Sequence, residues 1–218
     1  MLNSISNELN LRIFELKKMI NALEASSNIN SIDEVKNANK GLIMVGIYSV
    51  MEYTVVNTVS QAIEIINNED VKYNQLTERF KGIALQSRLQ AYSDCSITKK
   101  WDKTWEITET WNSEEIVSIS NSLLPSDGSN IKSKQLQSIW KSFGIDLEDV
   151  NYFNMISLLL NELTDSRNAI SHGRLKASDV GRRFTFEELR RKVDEIQRIS
   201  NFVVESFSAF LIEKKYLK

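Results

Sequence analysis

The sequence predicts an all-α protein, a helical bundle carrying an irregular tryptophan-rich insertion. Three observations predict it. The 218 residues include one proline, Pro125, and seven glycines, too few breakers for the turn-dense β-sandwiches and barrels. Apolar residues recur at three- and four-residue spacing over long stretches. Two helix-start signatures, S-x-x-E and T-x-x-E, precede such stretches. The length, with 42% hydrophobic and 26% charged residues, suits one domain over residues 1–218 with a substantial core.

A first helix is expected from about Ser4 to Leu23, with Leu9, Ile13, Leu16, Ile20 and Leu23 on one face. The segment SSNIN interrupts it. Ser31 and Glu34 then form a capping box opening a second helix that continues to about Asn67. Its centre, GLIMVGIYSVMEYTVVNTV, is apolar almost all round, as expected in the middle of a bundle. Leu42 to Val59 approaches transmembrane length. Glu52, Asn57 and several hydroxyl residues lie within it, so a buried core helix is the expectation.

A third helix is predicted from Leu76 to Ala91. Residues 94–130 are expected to form an insertion packed on the bundle. Trp101, Trp105 and Trp111 cluster there, WEITETW alternates like a short strand, and LLPSDGSN is a loop. The tryptophans either anchor this segment to the core or stack RNA bases. The short helix KQLQSIWKSF should end at Gly144. Another helix follows from about Val150 to Ser171. Thr185 and Glu188 form the second capping box, opening a final helix.

Composition also excludes functions. A net charge of −2 argues against a protein that coats duplex DNA non-specifically, while leaving room for a local basic patch. The single cysteine, Cys95, rules out an intramolecular disulfide and a multi-cysteine zinc site within one chain. No metal or cofactor is expected. The N-terminal stretch MLNSISNELNLRIFELKK has no apolar h-region, so a cytoplasmic protein without a membrane partner is expected. Neither the nucleophile elbow G-x-S-x-G nor a P-loop is present.

Candidate chemistry concentrates near the end of the Val150–Ser171 helix. Phe153, Ile156, Leu160, Leu163 and Ile170 form one stripe, and Arg167 falls on it. A guanidinium aimed at a core seam needs a carboxylate or an anionic ligand. Glu52 is the one charge between Lys40 and Glu64, so Arg167 and Glu52 are expected to face each other. Two readings of that pair stand: a structural buried pair, and an active-site arginine oriented by Glu52. His172, the single histidine, precedes Gly173 at the helix terminus. It reads either as an ordinary helix-end residue or as a functional imidazole. Asn168, one turn earlier, is placed to orient its ring. Arg167 lies roughly 140° away around a regular helix, so a shared target needs a frayed last turn or a second subunit. Downstream, Arg174, Lys176, Arg182 and Arg183 belong to the most basic segment of the chain. They suit a phosphate-tracking rim or a solvated face.

The run Arg167-Asn168-Ala169-Ile170-Ser171-His172-Gly173 resembles the R-x4-6-H motif of the HEPN superfamily, with the polar residue after arginine that the family favours. GSNIKSKQLQSIWKSFGID is similar to the asparagine-bearing loop and short helix of the RiboL-PSP-type branch, and the helix with Met51-Glu52-Tyr53 is similar to its first core helix. These matches span roughly Leu42 to Gly173. The resemblance implies a HEPN-type bundle and a metal-independent endoribonuclease, working as a toxin or phage-defence effector. It further implies a homodimer in which two such motifs line one cleft. Arg167, His172 and Asn168 would be catalytic, with Glu52 supporting them. Arg174, Lys176, Arg182 and Arg183 would hold the RNA substrate. An antitoxin or defence-system protein is a further expected partner. The alternative is a non-catalytic HEPN module for dimerisation or nucleotide binding.

RNA carries its own nucleophile, the 2′-hydroxyl, so the protein needs to supply a base, an acid and a stabiliser of phosphorane charge. A neutral imidazole can be the base, and a guanidinium fork can hold the phosphate. One histidine per chain leaves no second imidazole as acid. Pairing of two chains supplies it.

Overall fold

The apolar run in the first third of the chain folds as one long helix, and the elements around it take their places from it. The computed structural model describes residues 1–26, 33–120, 131–145 and 150–218. Helix α1 (Asn3–Ser26) buries Ile5, Leu9, Ile13, Leu16 and Ile20 at the expected spacing. Helix α2 (Asp33–Asn67) has 35 residues, roughly 50 Å at 1.5 Å per residue. Ser31, half of the expected capping box, lies outside the described residues. By length and composition α2 could cross a membrane, but 56% of its apolar window is buried inside the protein. That burial is shared among α1 and three later helices, so it serves as the core helix of the bundle.

The expected third helix is broken in two. A single 3₁₀ turn at Tyr73–Gln75 leads into α3 (Glu78–Ala84) and α4 (Gln86–Asp94). Leu85 between them sits at φ −92°, ψ 2°, outside the helical well. The break lets Phe80, Ile83, Ala84 and Leu85 all face the core, whereas α4 buries none of its residues.

The expected short strand around WEITETW is a helix instead, α5 (Lys100–Trp111). Threonines in and just before this stretch donate from their hydroxyls to the carbonyl four residues back: Thr104 to Lys100, Thr108 to Thr104 and Thr110 to Glu106, at 2.8–2.9 Å. That bond is compatible with a helix. Trp111 does anchor the segment, its Nε1 donating to Glu78 at 3.0 Å. Trp101 and Trp105 do not, being 85% and 64% exposed.

Helix α6 (Ser133–Phe143) ends at Gly144, whose φ of 71° is the left-handed cap that glycine provides. Its Phe143 meets Phe80, Phe207 and Phe210 in an aromatic cluster with centroids 4.8–5.6 Å apart. The expected LLPSDGSN loop lies outside the described residues. Helices α7 (Val150–Ser171) and α9 (Phe186–Ile212) take the expected bounds at their starts. The Thr185–Glu188 box is formed in both directions, at 3.2 and 2.7 Å. Between them lies an unanticipated short helix, α8 (Ala177–Gly181). Helices α1, α7, α8 and α9 all pack on α2. Among the described residues there is no β-strand, only the isolated bridges Lys72–Ile116 and Leu76–Leu217.

Candidate active site at the end of α7

Ile156, Leu160, Leu163 and Thr164 of α7 are buried, and the next residue on that seam is Arg167. It is half-buried, since the helix here emerges from between its neighbours. Its guanidinium carbon lies 5.7 Å from the centroid of the Tyr48 ring, within reach of a cation–π interaction. Its Nη1 donates to Asn168 Oδ1 at 3.0 Å.

Arg167 does not pair with Glu52 as expected. No ion pair joins them among the described residues. Tyr48, one turn before Glu52 on α2, is the residue that meets both. Its hydroxyl donates to Glu52 Oε1 at 3.2 Å and accepts from the Ile131 N–H at 2.9 Å. The chain entering α6 is thereby tied to the same side chain that underlies the guanidinium. Burial pushes the Tyr48 hydroxyl up to about 12, Ile131 opposing and the Glu52 charge adding to the rise. It stays protonated at any physiological pH and can keep donating to Glu52. The reason for the misfit is steric: a tyrosine fits the space between the elements, and its hydroxyl satisfies a half-buried carboxylate without a second ion. In the sequence the available signal was a tyrosine at i, i+4 to the lone acidic residue.

His172 follows the last helical residue. Its backbone N–H still bonds Asn168 O at 3.1 Å, after which Gly173 turns the chain at φ 67°. The turn is held by Gly173 N–H to Ile170 O and Leu175 N–H to Ala169 O, both 3.0 Å. The His172 side chain is exposed. Among the described residues Asn168 makes no hydrogen bond to the His172 ring; its Oδ1 accepts from Arg167 instead. So the chain brings Tyr48, Glu52, Arg167 and Asn168 together, and leaves the imidazole on the surface one turn further on.

Arg174, Lys176, Arg182 and Arg183 are all exposed, on the segment that runs from the motif through α8. What fixes this segment is contact of backbone with backbone. A Cβ on Gly41 would lie 2.1 Å from the Ala177 carbonyl oxygen, and one on Gly181 would lie 1.9 Å from that of Asn37. Only glycine permits that approach. Beside it the buried Lys40 ammonium donates to the Phe184 carbonyl at 2.6 Å. Desolvation, with Lys36 nearby, lowers the Lys40 pKa.

Among the described residues, no group of three His, Cys, Asp or Glu side chains could hold a metal ion. The arrangement offers a guanidinium without a carboxylate partner among the described residues, an accessible imidazole beyond it, and four exposed cations on the following segment.

A family-wide sequence profile described as RiboL-PSP-HEPN matches residues 7–209. No curated protein and no solved structure matches the chain significantly. The profile covers nearly the whole sequence, including α2, Arg167, His172 and the basic flank, and the bundle is all-α as that family requires. The chain belongs to the RiboL-PSP-HEPN family.

Proposed function

We propose that this HEPN protein is a metal-independent endoribonuclease that acts as a cytoplasmic homodimer, as a toxin or phage-defence effector. The observation that carries the reading is the state of Arg167. It is half-buried, held by an aromatic face and a neutral amide, and paired with no carboxylate among the described residues. A cation kept in that way has charge available for an anionic ligand.

In the proposed reaction one neutral His172 imidazole removes the proton of a ribose 2′-hydroxyl. The oxygen attacks the adjacent phosphorus, and Arg167 stabilises the charge that builds on the phosphorane oxygens. The bond to the 5′-oxygen breaks as the protonated imidazole of the partner subunit's His172 returns a proton to it. The products are a 2′,3′-cyclic phosphate and a 5′-hydroxyl. Asn168 keeps the guanidinium oriented, and Glu52 acts on it through Tyr48. Arg174, Lys176, Arg182 and Arg183 track the phosphates. An antitoxin or another defence protein would hold the activity in check.

The test is incubation of the purified protein with single-stranded RNA in excess EDTA. Cleavage to 2′,3′-cyclic ends is expected, and His172→Ala should abolish it. Cleavage that needs a divalent ion, or survives that substitution, overturns the reading. One observation favours a second reading, a non-catalytic dimerisation or nucleotide-binding module: within the chain the His172 ring has no hydrogen-bond partner among the described residues. Expression in bacteria separates the two. Growth arrest relieved by Arg167→Ala supports the nuclease, and harmless expression of the wild type supports the module.

A further inference from the structure

A cleft of about 580 Å³ opens where α7, α8 and the start of α9 meet, within the range of about 300–1,000 Å³ typical of small-molecule sites. Asp165 and Ala169 face it from α7, each roughly 200° around the helix from Arg167. The cleft is therefore separate from the Tyr48–Arg167 cluster. It is nevertheless next to the motif, because the Ala169 carbonyl holds the Leu175 N–H of the turn that carries His172.

Leu175, Val180 and Phe184 supply the apolar part of a lining that is otherwise polar and charged. Most of its charges are already engaged. Lys192 pairs with Glu162 and lies 5.3 Å from the centroid of the Phe184 ring. Glu188 accepts from the Thr185 backbone and hydroxyl, which holds its carboxyl below the usual range. Asp165 and Arg183 are different. Both are exposed, and neither side chain makes a hydrogen bond or ion pair with another described residue. Among the described residues one carboxylate and one guanidinium thus stand unpaired beside a small apolar floor.

Three carboxylates against two cations line the cleft, a poor environment for a phosphate alone. A flat, apolar ligand with an edge rich in N–H groups fits better. Guanine presents N1–H and its amino group side by side, matching both oxygens of one carboxylate. Adenine and cytosine set an amino group beside a ring acceptor, and uracil sets one N–H between two carbonyls, so each would turn a lone pair toward the carboxylate. Bases of single-stranded RNA are commonly read on that edge while lying against an apolar surface.

We propose that this cleft is a guanine-binding subsite in which Asp165 accepts from the Watson–Crick edge and Arg183 meets the attached phosphate. The proposal rests on the ribonuclease reading for the source of the base, an RNA strand, and deepens it by naming what the enzyme recognises. No residue of the proposed catalytic set takes part.

The test uses the full chain and two readouts. Binding of GMP, AMP, CMP and UMP is measured by calorimetry for the wild type and for Asp165→Asn. Cleavage of RNAs with guanine at every position, or at none, is compared for the same proteins. GMP should bind at least about tenfold more tightly than the other three, and Asp165→Asn should remove that preference. Arg183→Gln should weaken all four nucleotides alike. Cleavage should fall beside guanine in the wild type and lose that bias in Asp165→Asn. Equal binding of the four nucleotides, or a guanine bias unchanged in Asp165→Asn, overturns the subsite. So does an Asp165→Asn protein that changes only its sedimentation, which would make the cleft a subunit contact. Selective GMP binding with no cleavage of any RNA supports the subsite and removes the nuclease. Cleavage without guanine bias does the reverse.

Discussion

Tyr48 shows how much a single side chain can join. Its ring underlies a guanidinium, its hydroxyl donates to Glu52, and the same oxygen accepts the Ile131 N–H. Tyr48→Phe keeps the ring and leaves the buried Ile131 N–H without its acceptor, at a cost of about 1–3 kcal/mol. Thermal denaturation should register it as a fall of a few degrees, at about 2–4 °C per kcal/mol for a chain of this size. The pH dependence follows from the raised hydroxyl. Free tyrosine ionises near 10, and Tyr48 in the folded protein near 12. Below about pH 10 both states are protonated and nothing changes. Between the two values the unfolded chain alone loses the proton, so stability falls with rising pH and levels off beyond the folded value. Tyr73 and Tyr216 are also raised by burial. Urea denaturation from pH 9 to 12 should therefore show a slope that Tyr48→Phe reduces without removing. An unchanged slope would mean that the hydroxyl is not desolvated.

Helices α1, α2, α6, α7 and α9 were legible because each combines an apolar stripe with a start or stop signal. Leu9 to Ile20, Thr185 with Glu188, and Gly144 act locally, and local signals survive in a linear sequence. The misreadings have physical causes. Threonine favours strands on average, yet in α5 its hydroxyls close onto the preceding turn. The break at Leu85 exists to turn four apolar residues onto a core built by distant segments. Helix α8 has five residues, too few to display a period. The site divides in the same way. Arg167 and Glu52 stood out as charges in apolar stripes, whereas Tyr48 was hidden among other large residues of a core helix. The cleft was invisible, since three separated segments line it. In α5 the exposures make opposite predictions for two identical residues. Trp101→Ala should stay within about 0.5 kcal/mol of the wild type. Trp111→Ala, losing the Glu78 bond and its packing, should cost about 1–3 kcal/mol. Chemical denaturation of the two variants checks this, and equal losses would contradict the assigned orientation.

For the molecule as a whole α2 is the reference, because four other helices are seated on it. Two glycines illustrate what that arrangement tolerates. A Cβ at Gly41 would meet the Ala177 backbone, which has nowhere to go, while one at Gly82 would meet nothing within 4 Å. Gly41→Ala should destabilise the protein by about 1–3 kcal/mol or more. Gly82→Ala, in the middle of α3, should stabilise it by about 0.4–1 kcal/mol through the unfolded chain. Melting temperatures moving in opposite directions would support this, and a neutral Gly41→Ala would contradict the close approach.

The Gly41–Gly181 contact also has a mechanical meaning. Where two main chains touch directly there are no rotamers to slide, so the stretch bearing Arg182 and Arg183 travels with the front of α2 or stays put. The interval from the His172 turn to those two arginines then behaves as a ruler. On the proposed reading, an RNA strand laid along it meets its phosphate contacts at one spacing.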